Sequence, residues 1–112
     1  MKQFVELLAL APNEVTFEQT MQVIDNHFNF HPTSFVNGET ENQAGQNNGS
    51  CKIFAFAQMQ GLDAPSTLAC FGQFYREDVL QNPHGSDHAN IRNFMQHGWA
   101  GVRFDGVALT AK

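Results

Sequence analysis

Cysteine is scarce in this chain: Cys51 and Cys70 are the only two among 112 residues. One follows Gly49-Ser50 and the other lies in the apolar run Leu68-Ala69-Cys70-Phe71, which is not the disulfide framework that staples small secreted scaffolds. A reduced, cytoplasmic chain is the expectation. Basic residues are missing from most of the first half, where residues 3–51 carry six acids and no Lys or Arg. From Lys52 onward five bases balance five acids, so the net charge of -5 originates before that point. Phosphate backbones demand a basic footprint, and nucleic acid is therefore not an expected partner. Long apolar runs are also absent; nothing approaches the roughly 18 residues of a membrane-spanning helix, and no membrane partner is expected. The stretch from Phe4 to Leu10 is interrupted by Glu6 and lacks a small-residue cleavage site, so it does not read as a Sec signal. Trp and Tyr occur once each.

Phenylalanine, by contrast, occurs eleven times within an apolar fraction of 42%. Such rings fill a core without needing hydrogen-bond partners, and a chain of this length can remove roughly two-thirds of its unfolded surface from water. One domain over residues 1–112 is expected.

Phe4, Leu7, Leu8 and Ala11 recur at helical spacing until Pro12-Asn13 closes a first helix. Thr16-x-x-Gln19 reads as a capping box for a second, whose buried line is Phe17, Met21, Ile24 and Phe28 and whose end is Pro32. Residues 33–36 followed by Asn37-Gly38 predict a strand entering a tight turn, with residues 39–43 returning as an edge strand. Ser50 is a natural N-cap for a third helix carrying Ile53, Phe54 and Ala57 and stopping at Gly61. Asp63-Ala64-Pro65 starts a fourth, with Leu68, Phe71, Phe74 and Tyr75 as its buried stripe and Leu80 packed as the chain leaves it. After the loop at residues 82–86, Ser86 or Asp87 can cap a fifth helix bearing Ile91, Phe94 and Met95 and ending at Gly98. Residues 102–109 read as a closing hairpin about Asp105-Gly106. The fold class is α+β: mainly helical, about five helices, with short antiparallel strands and hairpins near residues 34–42 and 102–109 joining in a small sheet.

Three chemistries are open to the polar residues. In the first, Cys51 in the opening turn of a helix is a hydrolase nucleophile, because a helix start favours thiolate. Gln46 would then serve an oxyanion hole, His88 or His97 would be the base, and Asp87 or Asn90 would orient it. The run around Gly49-Ser50-Cys51 resembles the active-site helix of papain-like proteases, although Lys52 stands where those enzymes carry an aromatic residue and the chain is too short for two lobes. In the second, His84, Asp87, His88 and His97 are metal ligands. Nine residues of helix between His88 and His97 span roughly 13 Å, so the set does not converge and neither metal nor cofactor is expected. In the third, Asn47, Asn48, Lys52, Asn90, Arg92 and Asn93 surround a cleft where the glycine-rich loop meets the fifth helix. It would bind an unidentified protein or small molecule, with Lys52 and Arg92 attracting a carboxylate or phosphate.

Several separated blocks agree, in order, with one known family. Asn37-Gly38, Ala44-Gly45-Gln46-Asn47-x-Gly49-Ser50-Cys51-Lys52, Phe54-Ala55-Phe56-Ala57-Gln58, Asp87-His88-x-Asn90-Ile91-Arg92-Asn93-Phe94-Met95 and His97-Gly98-Trp99-x-Gly101 resemble the HopJ family of small bacterial proteins. That family takes its name from a type III secretion effector of a plant pathogen. The resemblance implies a small protein without an assigned reaction, and secretion into a host cell as one setting for it. A binding role is the expectation, ahead of an enzyme.

Overall fold

The computed structural model describes residues 1–112. Helix α1 (Lys2–Leu10) turns Phe4 and Leu8, one helical turn apart, into the core. After a 3-10 turn at Pro12–Glu14, helix α2 (Phe17–His27) starts on a complete capping box. The Gln19 amide donates to Thr16 Oγ1 at 3.1 Å and the Thr16 amide to Gln19 Oε1 at 2.9 Å. Thr20 and Ile24 are its buried residues, and the Thr20 hydroxyl is satisfied by the Cys70 carbonyl at 2.8 Å.

The second helix does not run on to Pro32. It stops at His27, and Phe28–Phe30 form strand β1, paired antiparallel with the last strand, β5 (Leu109–Ala111). Phe28 is buried as the spacing predicts, but from a strand. The predicted first hairpin is present as β2 (Phe35–Asn37) and β3 (Thr40–Asn42), with β3 at the sheet edge. Its two-residue loop is Gly38-Glu39, not Asn37-Gly38. Only Gly38 has a positive φ, +60°, in keeping with a turn that places glycine first. Asn37 is thereby a strand residue with its side chain buried.

The predicted closing hairpin is corrected more deeply. Strand β4 (Val102–Phe104) pairs with β2, giving the order β3-β2-β4, while β5 crosses to β1. Asp105-Gly106 lies between two strands that belong to different sheets. The Asp105 carboxylate accepts from the Ser34 hydroxyl, and its amide donates to the Ser34 carbonyl, fastening the connection to β2.

Helix α3 (Asn48–Gln60) runs through the centre, burying Cys51, Ile53, Phe54, Ala55, Phe56 and Ala57. It is apolar nearly all round because neighbours cover it on most sides. Gly61 ends it in the left-handed region, as expected. The start differs: the helix opens at Asn47, itself left-handed at φ 52°, and Ser50 sits inside the first turn. Helix α4 (Ala64–Ala69) is capped by Asp63, whose Oδ1 accepts from the Ser66 amide at 2.9 Å and whose carboxyl is held below its ordinary value chiefly by that bond.

The expected stripe through Tyr75 is not one helix. Gly72 at φ +60° breaks it, and a Cβ there would meet the Phe17 nitrogen and the Thr16 backbone, so no other residue fits. The chain resumes as a π-helical turn, Phe74–Val79. Leu80 and Met95, expected inside, are about half exposed. Helix α5 (Ala89–His97) buries Asn90, Ile91 and Phe94 and ends at Gly98 as predicted. It begins at His88 with φ 51°, and neither Ser86 nor Asp87 caps it.

Phe54 is the centre of the core, with ring centroids 5.0–6.2 Å from Phe35, Phe71, Phe94 and Trp99. Cys70 is fully buried nearby in sequence to Phe71, and burial pushes its thiol up to about 12 from 9.0. Its stabilising effect is intact below the unfolded value and lost as pH rises towards the folded one, because the unfolded thiol ionises first. From this thiol alone, stability is expected to fall by roughly 1 kcal/mol between pH 8 and 10. Urea unfolding at both pH values checks it: Cys70→Ala should show a shallower decline than the parent, and equal declines would refute the assignment.

Candidate functional site

Four asparagines tie the first hairpin to the starts of α3 and α5. Asn42 and Asn90 exchange reciprocal amide bonds, Asn42 Nδ2 to Asn90 Oδ1 at 3.1 Å and Asn90 Nδ2 to Asn42 Oδ1 at 2.9 Å. Asn47 Nδ2 joins at Asn42 Oδ1, 2.7 Å, and Asn37 Nδ2 reaches the Asn90 carbonyl at 2.7 Å and its Oδ1 at 3.1 Å. Asn37, Asn42 and Asn90 are at most 5% exposed, and within the group only Asn37 Oδ1 lacks a partner. Buried amides of this kind hold a backbone arrangement only while they satisfy one another. Asn93 secures the same hairpin from α5, donating to Thr40 Oγ1 at 2.8 Å and accepting from the Glu39 amide at 2.9 Å.

The clamp brings two helix starts to one cleft of about 330 Å³. Gly49 and Ser50 line it from α3, and His88, Ala89, Asn90 and Ile91 from α5. Neither start has a side-chain cap, whereas α2 and α4 are capped by Thr16 and Asp63. The first intrahelical bonds come from the Cys51 amide to the Asn47 carbonyl and from the Arg92 amide to the His88 carbonyl. The amides of residues 48–50 and 89–91 therefore have no acceptor within the protein. Opposite them stands an aromatic wall: Phe17 meets Phe74 edge-on at 5.0 Å, and Phe74 stacks on the His88 ring at 5.3 Å. The His88 ring is further held by Asp78, 2.9 Å from Nε2 to Oδ2.

The residues considered for thiol chemistry do not assemble. Cys51 is 1% exposed, its Sγ hydrogen-bonds to the Thr33 carbonyl at 3.6 Å, and burial pushes its thiol up. Its amide is already committed to Asn47, and it does not line the cleft. Gln46 is on the exposed loop, accepting from the Gln43 amide at 3.3 Å. His97 packs over Gly38 and beside Gly101 with a buried, unpartnered Nε2. Asp87 is bound to Arg92, whose hydrogen bond is the main reason its carboxyl sits below the ordinary value. This geometry gives the hydrolase reading no support.

Of the residues considered for binding, Asn47 and Asn90 line the cleft, and Asn48 opens α3 beside it. The cations point elsewhere. Lys52 Nζ lies 2.9 Å from Asp25 Oδ1 and 5.1 Å from the Phe30 ring centre. Arg92 is spent on Asp87 Oδ1 and its carbonyl, both at 2.6 Å, and on the Asn82 carbonyl at 2.9 Å. Sequence reading missed Phe17, Phe74 and Asp78 as site residues. The first two carry the same apolar spacing as any core position, and Asp78 reaches His88 across the Pro83 loop, which no local spacing announces.

Comparison with known proteins agrees with the blocks that meet here. No curated protein matches the chain. A solved crystal structure described as that of an unknown-function protein, VPA0580, superposes with a TM-score of 0.99 at 55% sequence identity, covering 100% of this chain and 93% of the other. The family model described as HopJ type III effector protein matches residues 1–109, and the chain belongs to that family.

Proposed function

We propose that this chain is a binding protein, and that the cleft between the starts of α3 and α5 takes an anionic group, carboxylate or phosphate, borne on an apolar or aromatic body. The observation that carries this reading is the convergence of two uncapped helix starts on one cavity. Free amides and the positive ends of two helix dipoles favour negative charge, and Phe17 and Phe74 offer an apolar surface for the remainder of the ligand. The charge comes from backbone, not from Lys52 or Arg92, so an acidic protein can hold an anion here. Nucleic acid is not the partner proposed, since the chain carries a net charge of -5. No helix is long and apolar enough to cross a membrane. The family description supports delivery into another cell as one setting for such binding, alongside the cytoplasm of the producing cell.

Amide NMR titration with phenyl phosphate tests this. Saturable shifts are expected for residues 48–50 and 89–91, with weaker effects from inorganic phosphate, which lacks the ring. Ser50→Glu places a carboxylate on the same free amides and is expected to weaken binding by about tenfold or more. Shifts that do not saturate, or that fall away from these amides, would end the proposal.

A further inference from the structure

We propose that Asp78, Asp87 and His88 form a binding site for a divalent transition metal, zinc by the chemistry of its ligands. Each of the three offers one ligand atom, and these atoms lie within 4.8 Å of one another. His88 Nε2 is 2.9 Å from Asp78 Oδ2 and 3.9 Å from Asp87 Oδ2. Four bonds of roughly 2.0 Å in tetrahedral array set ligand atoms about 3.3 Å apart, a value between those two separations. The ion would take the Nε2 lone pair on the side facing Asp78, with the single proton of the neutral ring carried on Nδ1.

The surroundings hold each ligand in place. Arg92 binds Asp87 through Oδ1, leaving Oδ2 as the oxygen nearer His88. Phe74 fixes the imidazole plane by stacking on it. Outer partners of this sort orient metal ligands and tune their affinity. The three side chains are 30–55% exposed, open to an ion from solution and to a water completing the coordination. Two carboxylates set against the single Arg92 leave room in the charge balance for a dication. The imidazole nitrogen beside two carboxylates favours zinc over magnesium and calcium, which prefer oxygen ligands throughout. Asp78 and Asp87 do not line the cleft, and the site does not depend on an anion entering it.

Calorimetric titration of chelator-stripped protein with zinc chloride tests it. One equivalent is expected to bind, magnesium is not, and binding should weaken by about tenfold or more in both His88→Asn and Asp78→Asn. Asparagine is chosen at position 88 because it tolerates the left-handed backbone there. Imidazole-nitrogen NMR of the unsubstituted protein gives a readout that no folding defect can disturb: zinc should shift the His88 ring, not those of His31 or His84. The proposal is overturned if there is no saturable binding near one equivalent, if either variant binds as well as the parent, or if the His88 ring is unmoved.

Discussion

Phe54→Ala is expected to remove about 3–5 kcal/mol of stability, a large share of the roughly 5–15 kcal/mol a domain of this kind possesses. The ring is fully buried and packs against Phe35 of β2, Phe71 after α4, Phe94 of α5 and Trp99 beyond it. Four segments thus lose a shared neighbour at once. Their backbones are anchored by separate ladders and helices, so they cannot all move inward to fill the space. Phe54→Leu keeps most of the volume and should cost about 1.5 kcal/mol or less. Urea unfolding of the three proteins decides the matter. A loss below about 1.5 kcal/mol for the alanine variant would mean that the core collapses around the vacancy and that Phe54 is not its keystone.

Asn90→Leu is the second large effect, expected to cost about 2–4 kcal/mol although it introduces an apolar residue into a buried position. The side chain it removes accepts from Asn37 and Asn42 and donates to Asn42. Those amides sit where water does not reach, and each unpaired group keeps its full desolvation cost. The reciprocal pair should also be coupled. In a cycle built from Asn42→Ala, Asn90→Ala and the double variant, the two losses are expected to overlap by about 0.5–3 kcal/mol, since either change alone already breaks the exchange. Additive losses would show that the four asparagines act separately. Because Asn47 and Asn90 also line the cleft, these variants should blur the phenyl phosphate response along with stability.

What the sequence reveals depends on how far apart the deciding atoms are. The Thr16-Gln19 box, the stops at Gly61 and Gly98, and the hairpin of β2 and β3 are settled by residues within a few positions of one another, and local chemistry predicts them. Phe28 fits the helical spacing of Phe17, Met21 and Ile24 equally well, and what takes it into a strand is Leu109–Ala111, invisible from its neighbourhood. Asp105-Gly106 has the chemistry of a hairpin turn, yet the flanking strands have better partners in β2 and β1. For the site, the asparagines and the meeting of the glycine-rich loop with the fifth helix are legible in outline. Its character is not. Ser50 is as good a capping residue as Asn47, and Ser86 and Asp87 are better ones than His88, so local propensity hides the two uncapped starts that define the cleft.

The pairing of β1 with β5 also orders events in time. About eighty residues separate Phe30 from Leu109, and closing a loop of that length costs roughly 4 kcal/mol in chain entropy before any contact rewards it. Strand β4 is also remote from β2, though by a shorter stretch of chain. A nascent or truncated chain ending before Val102 has the β2-β3 hairpin and its helices, but neither sheet can be finished and the edges of β1 and β2 stay open. Residues 102–111 therefore act as a latch: the helices and hairpin before them form by local steps, and cooperative closure of both sheets waits for these strands.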